Sequence, residues 1–131
     1  MLNGGNNGRI QTESIKFNAQ LFGTYEEQIK SHGGSGNIKP DLIHASHSGN
    51  PRTAEPLQII DHKNKDGKID KRAFYDAAGL IYLEIHTTNH GNAKWHSGAH
   101  AHNIKLVEGK LKQGEQRPLT EDEKKDNGDI L

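Results

Sequence analysis

The clearest hydrophobic pattern of the chain is a series of short segments in its second half in which apolar and polar residues alternate. An apolar segment covers 57–60, and further segments follow over 68–76, 80–86 and 102–108. Alternation with a period of two is typical of a β-strand that buries one face. The pattern therefore predicts four strands, and 110–112 is expected to extend the last one beyond a turn at Gly109.

Short turns separate these predicted strands and favour an antiparallel meander. Lys65–Gly67 has the Asp-Gly order that favours a tight hairpin, and Ala77–Gly79 forms a second turn. Within 80–86, alternation assigns the residues to two opposite faces of the sheet. The first face has Ile81, Leu83 and Ile85, and the second has Tyr82, Glu84 and His86. In 102–108, Ile104 and Leu106 are expected to face the core.

Helical signals are confined to the two ends of the chain. Between 15 and 31, apolar residues recur at every fourth position, which lines one face of a helix. These residues are Phe17, Leu21, Tyr25 and Ile29. Gly23 interrupts the pattern, so two short helical pieces are expected. Near the C-terminus, Thr120 is followed three residues later by Glu123, which is the sequence signature of a capped helix start.

Two further stretches have no regular period. Residues 1–14 are rich in Gly and Asn, which favours a flexible junction, and 38–56 predicts an ordered but irregular strap. We therefore expect one α+β domain over 15–131. Its centre is predicted to be a four- to five-stranded antiparallel meander, with short N-terminal helices and a C-terminal helical turn.

Composition narrows the functional classes. The 131 residues include 17 basic and 17 acidic side chains, so the formal charge is zero and no global field attracts polyanions. The absence of cysteine excludes disulfides, thiolate metal ligands and a cysteine nucleophile. No apolar run reaches the length that crosses a bilayer, and no signal-peptide pattern is present, so we expect no membrane contact.

A dense group of histidines follows the third predicted strand. Five of the nine histidines of the chain lie within the segment 86–102. Because imidazole titrates near neutral pH, it suits proton transfer better than other side chains do. The candidate catalytic residues are His86, His90, His96, His100 and His102.

Cleavage of RNA through its 2′-hydroxyl is the reaction that best suits this group. It needs a base for the hydroxyl proton, an acid for the leaving oxygen and positive charge near the phosphate. We expect His86 and His90 to form the acid–base pair, aided by one of the other three histidines. The candidate substrate-binding residues are Arg52 for a phosphate, Trp95 for stacking on a base, and Thr88, Asn89 and Lys94 between the histidines.

Metal binding is the main alternative for the same segment. His96, His100 and His102 could hold zinc, with support from Glu84, Asp61 or Asp76. With an open coordination position, such a site would make the protein a metal-dependent DNase. Without catalysis, it would stabilise a binding module. The leading hypothesis, acid–base cleavage of RNA, needs no cofactor.

Several stretches, taken in order, resemble a known domain. They are IKPDLIHASHSGNPRTAEP, DGKIDKRAFYDAAG, HTTNHGNAKWH with a following HAH, and RPLTEDEKKDNGDIL. In this order they resemble the C-terminal toxin domain of bacterial polymorphic toxins of the LXG or contact-dependent type, which also occurs with phage-head-associated proteins of Gram-positive bacteria. The resemblance covers about residues 37–131.

This resemblance implies a secreted effector that is fused behind an upstream delivery module and delivered into the cytoplasm of a target bacterium. A cognate immunity protein is the expected partner, and RNA the expected substrate, because many toxins of this type are nucleases. The neutral charge departs from the basic surface of most nucleases. Phosphate affinity would then depend on the predicted hairpin, through Lys63, Lys65, Lys68, Lys71 and Arg72.

Overall fold

The computed structural model describes residues 24–87 and 98–131. Its elements, in chain order, are α1 (Tyr25–Ser31), β1 (Leu42–His44), β2 (Ile59–Lys63), β3 (Ile69–Tyr75), β4 (Ile81–His86), β5 (His100–Val107), β6 (Lys110–Gln113) and α2 (Glu121–Asp126). The predicted junction 1–14 and the helix positions Phe17 and Leu21 lie outside the described residues.

A six-stranded sheet in the order β1-β2-β3-β4-β5-β6 forms the centre of the described part. Consecutive strands from β2 to β6 pair antiparallel with each other, which confirms the α+β class and the meander. The strand count is higher than predicted because β1 adds to the sheet edge, parallel to β2. The strap prediction was therefore wrong for Leu42–His44. Leu42 and Ile43 are both exposed, so this strand has no alternating pattern to reveal it.

The predicted turns are confirmed. Gly67 has a φ of 81° in the β2–β3 turn, where the side-chain oxygen of Asn64 accepts hydrogen bonds from the N–H groups of Asp66 and Lys68. Gly79 also has a φ of 81°, and a Cβ there would lie 2.3 Å from the carbonyl oxygen of Ala54. Glycine is therefore required at position 79 by both the backbone conformation and the close approach of another segment.

One face of the sheet packs against the two helices, and we call it the helix face. Its core consists of Ile29, Ile38, Ile59, Phe74, Tyr82, Leu83, Ile85, Ala101 and Leu119. The buried amide of Gln28 joins α1 to the sheet, since its Nε2 donates to the carbonyl oxygens of Gln58 and Tyr75. The Tyr82 hydroxyl in turn donates to Gln28 Oε1. The polar atoms that α1 buries against the sheet are thus satisfied.

The opposite face has a row of polar side chains, and we call it the histidine face. The strand register aligns one residue from each of β1 to β5, and these are His44, His62, Lys71, His86 and His100. Neighbouring strands lie about 4.8 Å apart, so members of this row can contact each other. A smaller apolar cluster on the same face consists of Ile60, Ala73, Tyr75, Ile81 and Ile104.

The part of the predicted strap that follows β1, residues 45–56, crosses the histidine face, and the name strap is kept below for these residues alone. The Asn50 side chain donates to the carbonyl oxygen of Ile60, and the Tyr75 hydroxyl donates to that of Pro51. Backbone hydrogen bonds from Ile81 to Arg52 and from Ala54 to Gly79 continue this attachment. The strap is irregular, as predicted, but many hydrogen bonds hold it against the sheet.

An irregularity in β4 changes two predicted face assignments, those of Ile81 and Tyr82. Tyr82 lies in the helix-face core and not beside Glu84 and His86. Phe74 pairs with Leu83 and Tyr75 pairs with Ile81, so Tyr82 is an extra residue between two register positions. Ile81 consequently joins the apolar cluster of the histidine face, while Leu83 and Ile85 belong to the helix face. Placing all three on one face was wrong, because a bulge reverses the alternation at that point. Leu106 was also wrongly assigned to the core, since it is 54% exposed.

The predicted helix start at Thr120 is confirmed as a capping box. Thr120 Oγ1 accepts a hydrogen bond from the Glu123 N–H, and Glu123 Oε1 accepts one from the Thr120 N–H. Both Glu123 carboxylate oxygens also accept hydrogen bonds from the Arg117 guanidinium. None of the described helices is long and apolar enough to cross a membrane.

Candidate functional site

Strands β4 and β5 bring three histidines and one carboxylate together on the histidine face. His86 pairs with His100, and Glu84 pairs with His102. Side chains two apart on one strand point to the same side, so all four lie together. The ring centroids are 4.9 Å apart for His86 and His100, 4.6 Å for His86 and His102, and 5.1 Å for His100 and His102. We call His86, His100 and His102 the imidazole cluster.

Glu84 orients the first ring of the imidazole cluster. His86 Nε2 donates to Glu84 Oε1 over 2.9 Å, and both side chains are buried. Burial raises the pKa of Glu84, but the hydrogen bond from His86, with further help from Lys71, outweighs burial and leaves the pKa below its ordinary value. Burial, with a smaller contribution from His102 and His100, lowers the pKa of His86 below its ordinary value, although the hydrogen bond and charge of Glu84 act in the opposite direction. The pair therefore favours an ionised carboxylate beside a neutral imidazole.

Backbone carbonyl groups orient the other two rings. His100 Nδ1 donates to the carbonyl oxygen of Gly98 over 3.0 Å, and His102 Nδ1 donates to that of Gly114 over 2.8 Å. A carbonyl can only accept, so each Nδ1 has a proton and the lone pair of the neutral ring is on Nε2. Both rings are thus held in one tautomer and one orientation.

Two polar residues adjoin this group from β3 and from the strap. Lys71 lies opposite His86 in the register, and its charge contributes to the lowered pKa of Glu84. The Asn50 side chain donates to Glu84 Oε2 over 3.5 Å. Gly49 leaves room for the lysine, since a Cβ there would lie 3.3 Å from Lys71 Nζ. The site therefore combines a carboxylate, imidazoles and an ammonium group.

A second pair of histidines lies further along the same face. His62 Nδ1 lies 2.6 Å from Asp70 Oδ1, and His62 Nε2 lies 2.7 Å from the carbonyl oxygen of Ser46. His44 Nε2 lies 2.9 Å from the Ser46 hydroxyl oxygen. These contacts attach the strap to β1 and β2, so they assign His44 and His62 a structural role.

The predicted catalytic residues divide into two groups. The structure brings together His86, His100 and His102, whereas His90 and His96 lie outside the described residues. The same holds for four predicted substrate-binding residues, which are Thr88, Asn89, Lys94 and Trp95. Arg52 is exposed on the strap, where its carbonyl oxygen accepts a hydrogen bond from the Ile81 N–H.

Of the three acids expected to support a metal site, only Glu84 contacts the imidazole cluster among the described residues. Asp61 accepts hydrogen bonds from Arg72, and Asp76 accepts them from the N–H groups of Ala78 and Leu80. The predicted role of Arg72 in phosphate binding was also wrong. Its side chain is 1% exposed and bonded to carboxylates on the helix face, because neighbouring strand residues point to opposite sides.

Asn50 is a part of the site that the sequence did not indicate, and Lys71 was predicted only as one of five basic hairpin residues for phosphate affinity. The strand register of Lys71 with His86 depends on a turn and a bulge. The Glu84-His86 spacing of two was the available signal for a carboxylate beside an imidazole.

The imidazole cluster also has the residue types of a metal centre. One ring nitrogen from each of the three histidines lies within 4.8 Å of the other two. The geometry thus permits two kinds of chemistry, which are proton transfer between imidazoles and coordination of a cation. Comparison with protein-family models, curated proteins and solved structures finds no match for this chain.

Proposed function

We propose that this protein is a nuclease that cleaves RNA by acid–base catalysis at the imidazole cluster. The observation that carries the proposal is the convergence of three buried imidazoles with ring centroids 4.6 to 5.1 Å apart, one of them hydrogen-bonded to a carboxylate. Two imidazoles with different hydrogen-bond partners can serve as base and acid in the same reaction.

In this proposal, His86 is the base. The 2′-hydroxyl proton moves to the neutral ring as the 2′-oxygen attacks the adjacent phosphorus, and Glu84 stabilises the imidazolium that forms. His102 in its protonated form gives a proton to the leaving 5′-oxygen, and the Gly114 carbonyl holds its ring during the transfer. The products are a 2′,3′-cyclic phosphate and a free 5′-hydroxyl.

Lys71 is proposed to stabilise the charge that develops on the phosphate. It is half-buried, lies opposite His86 and already acts electrostatically on Glu84. A cation held in a partly desolvated site stabilises a developing negative charge more strongly than it would in water. Lys94 and Trp95 remain candidates for further contacts with the substrate.

The biological setting is proposed from the resemblance of 37–131 to polymorphic toxin domains. In that setting the nuclease is secreted behind a delivery module, acts in the cytoplasm of a target bacterium and is neutralised by a cognate immunity protein. RNA is the preferred substrate because the proposed chemistry requires a 2′-hydroxyl.

The test is to incubate purified protein with total RNA and with plasmid DNA, each with and without EDTA. We expect cleavage of RNA that persists in EDTA and ends in a 2′,3′-cyclic phosphate, and we expect intact DNA. His86→Ala should abolish cleavage, while His47→Ala, which removes an exposed histidine, should not. EDTA-sensitive cutting of DNA, or intact RNA at high protein concentration, would overturn the proposal.

A further inference from the structure

We propose that the imidazole cluster is also a binding site for one divalent transition metal ion, with Zn²⁺ as the preferred ion. The site consists of His86, His100 and His102, each of which contributes one ring nitrogen. The binding claim depends only on the geometry of these residues. Its consequence for activity, given below, rests on the proposed ribonuclease function.

The distances suit a single ion. Zinc–nitrogen bonds are about 2.0–2.1 Å long, so ligand nitrogens around a tetrahedral ion lie about 3.4 Å apart. The ligand nitrogens of the three histidines lie within 4.8 Å of one another. Small rotations of the rings therefore suffice to close the site, with no change in strand register.

The groups behind the rings are those that a metal centre uses. Histidine ligands usually donate their second N–H to a carbonyl or a carboxylate, which fixes the tautomer and makes the ligating nitrogen more basic. His100 and His102 donate Nδ1–H to the carbonyl oxygens of Gly98 and Gly114, and His86 donates Nε2–H to Glu84. All three imidazoles are thus held in the tautomer that ligation needs.

The donor set selects the class of metal. Imidazole nitrogen suits zinc, copper, nickel and cobalt, whereas magnesium and calcium require oxygen ligands. The chain has no cysteine, so softer thiolate coordination is excluded. Three neutral histidines and a nearby carboxylate match the ligand number of open zinc sites, in which a water molecule takes the fourth position.

A bound ion would compete with the proposed acid–base chemistry. The metal takes the nitrogen lone pairs that proton transfer needs, so the zinc-loaded protein should cleave RNA at least 10-fold more slowly than the metal-free protein. Zinc would then hold the nuclease in an inactive form.

The experiment is a titration of metal-free protein with ZnCl₂, followed by isothermal calorimetry and by elemental analysis after gel filtration. We expect one bound ion per chain for the parent and for His47→Ala, and at least 10-fold weaker binding for His102→Ala. Both variants have eight histidines, so a difference between them reports position and not histidine number. Circular dichroism of the metal-free proteins checks that each variant is folded.

A second measurement needs no substitution. In the ¹⁵N spectrum of the parent, zinc should shift the ring nitrogens of His86, His100 and His102 and leave those of His44 and His62 unchanged. Absence of binding, or binding that His102→Ala leaves unchanged, would overturn the metal site. If the protein binds zinc but cleaves no RNA, the proposed function is wrong and the metal site stands. If zinc stimulates RNA cleavage, metal-free acid–base catalysis is wrong and the metal site again stands.

Discussion

At the scale of single residues, hydrogen-bond partners distinguish one histidine of the site from another. His86 donates to a carboxylate, whereas His100 and His102 donate to backbone carbonyl oxygens. A carboxylate stabilises an adjacent imidazolium by charge, which a carbonyl does only weakly. The lowered pKa keeps His86 neutral before the reaction, as a base must be, and Glu84 stabilises the imidazolium that forms when the proton arrives.

Replacing Glu84 by glutamine tests that assignment. The amide of Glu84→Gln can still accept the hydrogen bond from His86 but has no charge, so we expect kcat for RNA cleavage to fall by about 100-fold, within the range for acid–base groups. KM should change little, because the amide preserves the shape of the site. Glu55→Gln, at an exposed position, is the matched control. Equal kcat values for Glu84→Gln and the parent would contradict the assignment.

Growth inhibition tests the two histidines that the proposed mechanism uses. Expression of the domain in bacterial cells should arrest growth, and both His86→Ala and His102→Ala should relieve that arrest because each removes one proton-transfer group. Colony counts after induction measure the effect, and immunoblots check expression. His47→Ala should remain as toxic as the parent. If either variant remains fully toxic, that histidine has no part in the mechanism.

The sequence indicated the type of catalytic group but not its partners. The density of histidines over 86–102 identified the segment, but the predicted strand began at residue 102, whereas β5 begins at His100. The contact of His86 with His100 and His102 depends on the β4–β5 register, which no local pattern encodes. Lys71 and Asn50 approach from other parts of the chain, so only the tertiary fold brings them to the site.

At the scale of elements, strands with alternating apolar and polar residues could be predicted and exceptions to alternation could not. The alternation in β4 arises because the helix face takes apolar side chains such as Leu83 and Ile85, whereas the histidine face also buries polar ones such as Glu84. β1 was not predicted because its apolar residues are exposed. The faces within β4 were partly mispredicted because Tyr82 is an extra residue that interrupts the alternation. Helix α2 was predictable because its capping box is local in sequence.

The capping box of α2 should contribute measurably to stability. Thr120→Ala removes the oxygen that accepts the Glu123 N–H hydrogen bond, so we expect the free energy of unfolding to fall by about 1 kcal/mol. Urea unfolding followed by circular dichroism measures it. Thr53→Ala, at an exposed position, is the control. A loss no larger than that of Thr53→Ala would show that the cap is not needed.

The same helix start should make stability depend on pH in the acid range. Burial raises the pKa of Glu123, but hydrogen bonds from Arg117 and Thr120 outweigh it and leave the pKa below the ordinary value of 4.5. Because the pKa of Glu123 is lower in the folded protein than in the unfolded protein, the ionised carboxylate stabilises the fold at pH values above its pKa in the unfolded protein. This stabilisation is lost as the pH falls through the pKa of Glu123 in the folded protein. Glu123→Gln should therefore have a shallower decline in free energy of unfolding from about pH 5 downward. Urea unfolding at several pH values measures this. If the free energy of unfolding declined in parallel for the parent and Glu123→Gln, this carboxylate would not be involved.

At the scale of the whole molecule, strand β3 joins the core to the candidate site through two neighbouring residues. Lys71 points to the histidine face, while Arg72 is buried on the helix face. Arg72 donates to both oxygens of Asp61 on β2 and to those of Asp129 near the C-terminus. The C-terminal residues are thus attached to the middle of the sheet, directly behind the strand that supplies the cation of the site.

Asp61→Asn should strongly destabilise the fold, because it removes a carboxylate partner from the buried Arg72 guanidinium. Asp61 is 2% exposed, so its replacement leaves Arg72 with Asp129 as the one carboxylate partner among the described residues. We expect the free energy of unfolding to fall by about 3 kcal/mol, near the low end of the range for breaking a buried ion pair. Urea unfolding measures the loss, and Asp66→Asn in the exposed β2–β3 turn should leave stability unchanged.

The same substitution also tests whether a change on the helix face affects catalysis on the histidine face. Asp61 lies on the helix face, away from the imidazole cluster, so Asp61→Asn should keep the RNA cleavage rate of the parent at temperatures where it is fully folded. If folded Asp61→Asn cleaved RNA more slowly than the parent, the loss of a carboxylate partner of Arg72 would affect Lys71 through β3. The register of Arg72 and Lys71 would then be part of the site itself, because a shift of one residue exchanges their faces.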